Sequence, residues 1–156
     1  MNHLDALLIT PPSRLEVYQE LSGDYAAIEP PVWSSLIARY LLIRGFSVKI
    51  LDAEAEHFNY LQTAKKIIEI NPKLVCFAIY GQQPSASTQC MPGAMETCKL
   101  LNEHSDNKYP TIVIGTHPSA LPKRTLEDGP FRYVGKGECL ETIEFLIEFT
   151  KGSIEI

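Results

Sequence analysis

The sequence predicts an open α/β domain, a parallel sheet with helices on both faces. Three observations carry this. Short apolar runs alternate with segments of helical period along the whole chain; the run from Leu74 to Ile79 is apolar without interruption, as in a strand covered on both faces; and 156 residues suffice for one domain with a real core, which at this size buries roughly 70% of the unfolded surface.

The first strand is Leu4–Thr10, stopped by Pro11 and Pro12, which cannot donate to a ladder. A helix follows from the prolines at 30 and 31, which suit a first turn, to Gly45, a C-terminal cap. Its expected buried face is Trp33, Leu36, Ile37, Tyr40 and Leu41. The β-rich run FSVKILDA is strand two. Asn59 and Gln62 form a capping box ahead of the next helix, which Asn71-Pro72 ends and whose stripe is Leu61, Ala64, Ile67 and Ile68.

Leu74–Tyr80 is the central third strand. Met91, Ala94, Met95, Cys98 and Leu101 recur at helical spacing and predict a helix over Ser87–Leu101, with Pro92 tolerable only near its first turn. TIVIG is strand four and FRYVG strand five. A last helix runs from Glu138 to about Thr150. The domain is thus expected over residues 1–150, with 151–156 a tail or the start of a linker. Right-handed crossovers between parallel strands give the order 2-1-3-4-5 of flavodoxin-like domains.

A net charge of −5 offers nucleic acid no electrostatic invitation. No segment approaches the 18 or so apolar residues of a membrane span, and the first residues lack the pattern of a secretory signal, so the expected location is cytoplasmic. Cys76, Cys90, Cys98 and Cys139 contain no C-x-x-C pair and read as reduced packing residues.

Ligands of such sheets bind outside the carboxyl ends of the strands, near the point where the order reverses. The loops there exclude several functions. A phosphoacceptor receiver needs acids where Thr10-Pro11 and Tyr80-Gly81 stand. A flavin phosphate needs the backbone donors that Pro11 and Pro12 remove. A dinucleotide fold needs G-x-G-x-x-G at the first turn, whereas Gly135-Lys136-Gly137 follows the last strand. Asp52, Glu54, Glu56 and His57 read as a solvated rim. What remains is a wide neutral site, built mainly from the loops after strands three, four and five, for a large ligand rich in amides and hydroxyls.

The motifs LLITPPS, EPPVWSSLIARYLLIRGFSVKILDAEAE, YGQQPSAS, IVIGTHPSALP and FRYVGKGECLETI, in this order, resemble the N-terminal cobalamin-binding domain of B12-dependent radical SAM enzymes. The resemblance extends to about Ile147. It implies cobalamin as cofactor and a radical SAM barrel, in cis or in trans, as partner, with no nucleic acid and no membrane. S-adenosylmethionine and a [4Fe-4S] cluster would belong only to that other domain, because the C-x-x-x-C-x-x-C motif is absent here. Alone the chain would therefore not be catalytic, serving a methyltransferase or a cyclase. D-x-H-x-x-G, whose histidine ligates cobalt in other cobalamin proteins, is absent too. The implied state is base-off without a histidine on the metal.

Residue by residue, the resemblance places Thr10, Pro11, Tyr80, Gly81, Gln82, Gln83 and Pro84 at the corrin, with Gln82 or Gln83 near the lower face of cobalt. Ser85 and Ser87 would bond corrin amides or the tail, or cap the following helix. Gly115, Thr116, His117, Pro118 and Ser119 would lie along the detached nucleotide tail. His117 follows strand four rather than strand one, which argues against a metal role. Gly135, Lys136, Gly137 and Glu138, where the family has a Gly-Glu-Gly-Glu-like turn, would offer donors to a ribose or phosphate. Glu29-Pro30-Pro31 would lie near the upper face or the barrel contact, with Trp33 either stacking there or packed in the core. No residue is assigned as catalytic or as a metal ligand. The competing expectation is a flavodoxin-like interaction module without a cofactor.

Overall fold

The computed structural model describes residues 4–18, 28–81 and 84–153. Five parallel strands, β1 (Ala6–Thr10), β2 (Val48–Asp52), β3 (Leu74–Ala78), β4 (Thr111–Ile114) and β5 (Tyr133–Val134), lie in the order β2-β1-β3-β4-β5. The chain has the flavodoxin-like topology that its pattern predicts. Thr10 is level with Asp52, and Ala78 with Ile114, so the strand ends form one carboxyl edge.

Alternate side chains divide the core between the two faces, as the strand period requires. Ala6, Leu8, Cys76, Ile112 and Ile114 pack under α2 (Val32–Ile43) and α7 (Leu140–Thr150). Leu7, Ile9, Val75, Phe77 and Val113 pack under α3 (Tyr60–Ile70) and α4 (Pro84–Ser105). Every residue of β3 is buried, which accounts for its unbroken apolar run.

The capping box forms as expected. Asn59 accepts from the Gln62 N–H at 2.9 Å, and the Gln62 amide oxygen accepts from the Asn59 N–H at 2.9 Å. At the other edge of the sheet the Asp5 carboxylate accepts from the Ser47 N–H (2.9 Å) and hydroxyl (3.0 Å) and pairs with Lys73 (3.0 Å) and Lys151 (3.2 Å). One buried anion thus joins the starts of three strands to the end of α7.

Several local expectations are corrected. In α2 the buried face is Ser34, Ile37, Ala38 and Leu41, while Trp33 and Leu36 are exposed, at 45% and 55%. The helix is rotated because only a narrow stripe reaches the sheet near its β2 edge. The helix expected over Ser87–Leu101 is α4, which begins at Pro84 and places Pro92 in its interior. The cost of an interior proline, about 3 kcal/mol, is offset by burial of Met91, Ala94, Cys98 and Leu101 on its inner face, each worth roughly 1–3 kcal/mol. The segment after β4 is not a loop but two short helices, α5 (Thr116–Ala120) and α6 (Pro122–Asp128), whose prolines sit in first turns where no N–H is needed. The short helix α1 (Arg14–Tyr18), after the paired prolines, was not foreseen. The final helix starts at Leu140 rather than Glu138.

Candidate functional site

A cleft of about 900 Å³ opens at the carboxyl edge between β1 and β3, the point where the strand order reverses. Its floor includes Thr10 and Ala78. One wall is the first turn of α2, and the other is Tyr80-Gly81 with the exposed side of α4 at Gln89 and Cys90. Few of its lining groups carry charge: Arg14, Glu29 and Glu54. Glu54 is held by the Ser13 backbone N–H and, at 3.2 Å, by the Ser13 hydroxyl.

Trp33 belongs to this cleft and not to the core. Its ring stacks on Tyr80 with centroids 4.7 Å apart and planes 21° from parallel. The Tyr80 hydroxyl reaches the Gly137 carbonyl at 3.4 Å, and burial holds the phenol protonated, well above its ordinary range. Gly81, at φ +65°, turns the chain so closely on α4 that a Cβ would stand 2.5 Å from the Ala86 Cβ.

The expected residues of the loops after β4 and β5 form a separate, internally bonded cluster. Ser87 is fully buried inside α4 and accepts the His117 N–H at 3.0 Å, so it ties α4 to the first turn of α5 instead of capping its own helix. Thr88 Oγ1 lies 2.9 Å from His117 Nδ1. The Ser119 hydroxyl donates to the Gly115 carbonyl (2.6 Å) and accepts from the Gly137 N–H (3.0 Å). Gly115, at φ +151°, lies against β3: a Cβ there would be 2.6 Å from the Ile79 carbonyl oxygen. Pro118 and Gly135 are buried, while Thr116, Lys136 and Glu138 are exposed on the same edge.

Thr10 and Pro11 sit at the end of β1, with Pro11 buried and Thr10 accepting the Ala53 N–H at 3.0 Å. Pro84 and Ser85 open α4, and Gln82 and Gln83 lie outside the described residues. Sequence reasoning missed Ser13, Ser34, Gln89 and Cys90 as cleft residues. The helical period of α4 and the N-terminal position of Ser34 in α2 were the available signals.

No group of acids, histidines and cysteines able to hold a metal ion occurs among the described residues. Asp52 accepts the Ala55 N–H at 3.2 Å, as a turn residue does. The thiols are free and burial raises them, Cys98 to about 12, so the packing expectation holds for Cys76, Cys98 and Cys139. Cys90 is half-buried beside the cleft and receives the Ser13 hydroxyl at 3.3 Å. No helix among the described residues is long and apolar enough to cross a membrane.

A family model described as B12 binding domain matches residues 21–144. A search of curated proteins found no match. Among solved structures, the chain is similar to the radical S-adenosylmethionine methyltransferase TsrM from Kitasatospora setae with tryptophan substrate and a SAM analog bound (TM-score 0.70, 18% identity, 96% of this chain and 26% of that one). The same enzyme with cobalamin and a [4Fe-4S] cluster bound matches at TM-score 0.70 and 17% identity, over 99% of this chain and 26% of that one. The chain therefore spans about a quarter of the length of these structures, and the likeness is one of fold.

Proposed function

Because the chain belongs to the B12 binding domain family, we propose that it binds cobalamin base-off, without a histidine on cobalt, as the cofactor domain of a radical SAM methyltransferase or cyclase. The observation that carries this reading is the cleft itself. It lies at the switch point of the sheet, it is large for a small-molecule site, and neutral residues and an aromatic pair dominate its walls. A corrinoid presents many amides around a broad ring, which hydroxyls, backbone groups and aromatic faces match without the desolvation cost of charges.

The residues present fit that group. Thr10, Tyr80 and Gly81 line the cleft and, with Pro11, are assigned to the ring, as are Gln82, Gln83 and Pro84. The turns Gly115–Ser119 and Gly135–Glu138 are assigned to the nucleotide tail. Their mutual hydrogen bonds hold the backbone of both turns in one shape before any ligand arrives, which lowers the ordering cost of binding. No described histidine lines the cleft. His117 is engaged with Thr88, and His104 Nδ1 lies 2.9 Å from the Leu100 carbonyl. This supports a metal left without a protein nitrogen.

Cobalamin would supply methyl transfer or radical chemistry through its cobalt. The chain's own share is binding, orientation and exclusion of water. S-adenosylmethionine and the iron-sulfur cluster are assigned to a barrel domain in cis or in trans, since the cysteines of this chain lack the cluster spacing.

The test is to mix purified protein with hydroxocobalamin, desalt it and record the visible spectrum. Retained corrin absorbance is expected. Its absence would leave the interaction-module reading in place. After reduction to cob(II)alamin, electron paramagnetic resonance is expected to show cobalt lines without nitrogen superhyperfine splitting, and a nitrogen pattern would overturn the ligand claim.

A further inference from the structure

A second cavity, of about 490 Å³, lies at the opposite edge of the sheet, where β3, β4 and β5 begin and α7 ends. The 5 residues of β3, at a rise of about 3.3 Å each, separate it from the cleft. Its charged groups are all cations: Lys73, Lys108 and Arg132 line it, and no acid does. In a chain of net charge −5 that is a local reversal of sign.

The three cations differ in how far they are already neutralised. Lys73 pairs with Asp5 at 3.0 Å. Lys108 Nζ donates at 2.6 Å to the Asn71 amide oxygen, an uncharged acceptor. Arg132 forms no ion pair among the described residues, and its guanidinium lies 5.7 Å from the centroid of the Tyr133 ring. Cations beside helix ends offset the negative end of the macrodipole. Here backbone donors already close those ends: the Asn71 N–H takes the Ile67 carbonyl (2.9 Å), the Lys108 N–H that of Ser105 (3.2 Å) and the Lys151 N–H that of Ile147 (3.1 Å). Arg132, moreover, leads into β5 and closes no helix.

The uncharged lining points the same way. The Asn71 oxygen also accepts the Tyr109 hydroxyl, at 3.0 Å, so what this side chain has left to offer the cavity is its NH2 group. Tyr133 and Phe149, both half-buried, add flat apolar surface, and Phe149 belongs to neither half of the hydrophobic core.

We propose that this cavity binds a phosphate monoester carried on a planar ring, at a site separate from the cofactor cleft. Lys108 and Arg132, two cations without a counter-ion, match a monoester, whose charge near neutral pH is about −2. The planar fork of an arginine suits phosphate oxygens, and the half-buried rings give the planar part a surface to pack on. The cavity falls within the range of roughly 300–1,000 Å³ common to small-molecule sites. Nothing in this site depends on the cobalamin reading.

The experiment titrates the full chain with adenosine monophosphate and with phenyl phosphate, by isothermal titration calorimetry at constant ionic strength. Saturable binding is expected. It should weaken about tenfold or more in Arg132→Ala, which loses a charge-assisted hydrogen bond, and several-fold in Lys108→Gln, which keeps a donor for Asn71 but not the charge. Both side chains are exposed, so each variant should keep the wild-type urea midpoint. Adenosine and inorganic phosphate should each bind at least about tenfold more weakly than the nucleotide, because each lacks one half of the ligand.

No saturable heat with either monoester, or affinity equal in Arg132→Ala and wild type, overturns the proposal. Adenosine that binds as tightly as its monophosphate overturns the anion site, and inorganic phosphate that does so removes the planar part. Saturating hydroxocobalamin should leave the nucleotide's affinity unchanged. Competition between the two would place the nucleotide in the cleft and overturn the separate site.

Discussion

Ser87, His117 and Ser119 direct their hydrogen-bonding groups at one another and at the Gly115 and Gly137 backbone, whereas Ser34, Trp33 and Gln89, on the same edge of the sheet, face an open cleft. The sequence singles out the first region as polar and uncharged, and of the second it singles out only Trp33. What separates them is that the first is bonded to itself and the second lines open space. The cluster beyond β4 is a rim bonded to itself, and the cleft between β1 and β3 is where the edge leaves room for a ligand.

The sharpest way to break that contrast is at Gly115. Its φ of +151° is a region that only glycine occupies readily, and a Cβ would meet the Ile79 carbonyl oxygen at 2.6 Å. Gly115→Ala is expected to cost on the order of 3 kcal/mol or more, from strain and the displaced strand end together, read as a fall in the urea midpoint. An unchanged midpoint would mean that the rim is not built on this approach.

Ser87→Ala is next. It leaves the partly buried His117 N–H without its acceptor, and about 1 kcal/mol or somewhat more of stability should be lost. If Ser87 were chiefly a ligand contact, corrinoid affinity would fall and stability would not. Equilibrium unfolding and a corrinoid titration on the same variant distinguish the two.

Much of this was legible in the sequence, and the reason lies in particular residues. Asn59, Gln62 and Asn71 state the bounds of α3 locally, and the apolar run of β3 states its burial, so the topology followed from short-range chemistry. The face of α2 was not legible, because its apolar residues surround the helix and only packing selects Ile37 and Leu41 over Leu36. Nor was the division of the edge into rim and cleft. The Ser87 hydroxyl finds the His117 N–H 30 residues away, a pairing that no local pattern announces.

Asp5 offers a comparison at the opposite edge, where a charged group is satisfied as fully as the rim. Burial alone would raise its pKa, but the Ser47 N–H and hydroxyl, Lys73 and Lys151 together hold it at about 2, below its ordinary 3.8. A folded-state pKa below the unfolded one contributes stability that is complete above pH 3.8 and disappears as the pH falls through about 2. The shift corresponds to something on the order of 2 kcal/mol. Stability measured by urea between pH 5 and pH 2 should decline in the wild type with this component. In Asp5→Asn that component should be missing, with a lower plateau at pH 5.

The smallest expected effect tests the cleft directly. Trp33 is 45% exposed and stacked on Tyr80, so Trp33→Ala should change the urea midpoint little, since an aromatic pair contributes about 0.5–1.5 kcal/mol and the site is half in water. The same loss of a flat apolar surface should lower hydroxocobalamin affinity by several-fold, because the ring that would pack against it gains nothing from a methyl group. Tyr80→Phe keeps the stacking face and loses only the 3.4 Å contact to Gly137, so it should bind nearly as well as wild type. A Trp33→Ala variant that loses stability but binds the corrinoid normally would show that the pair props α2 against β3, and the distinction between rim and cleft would have to be drawn elsewhere.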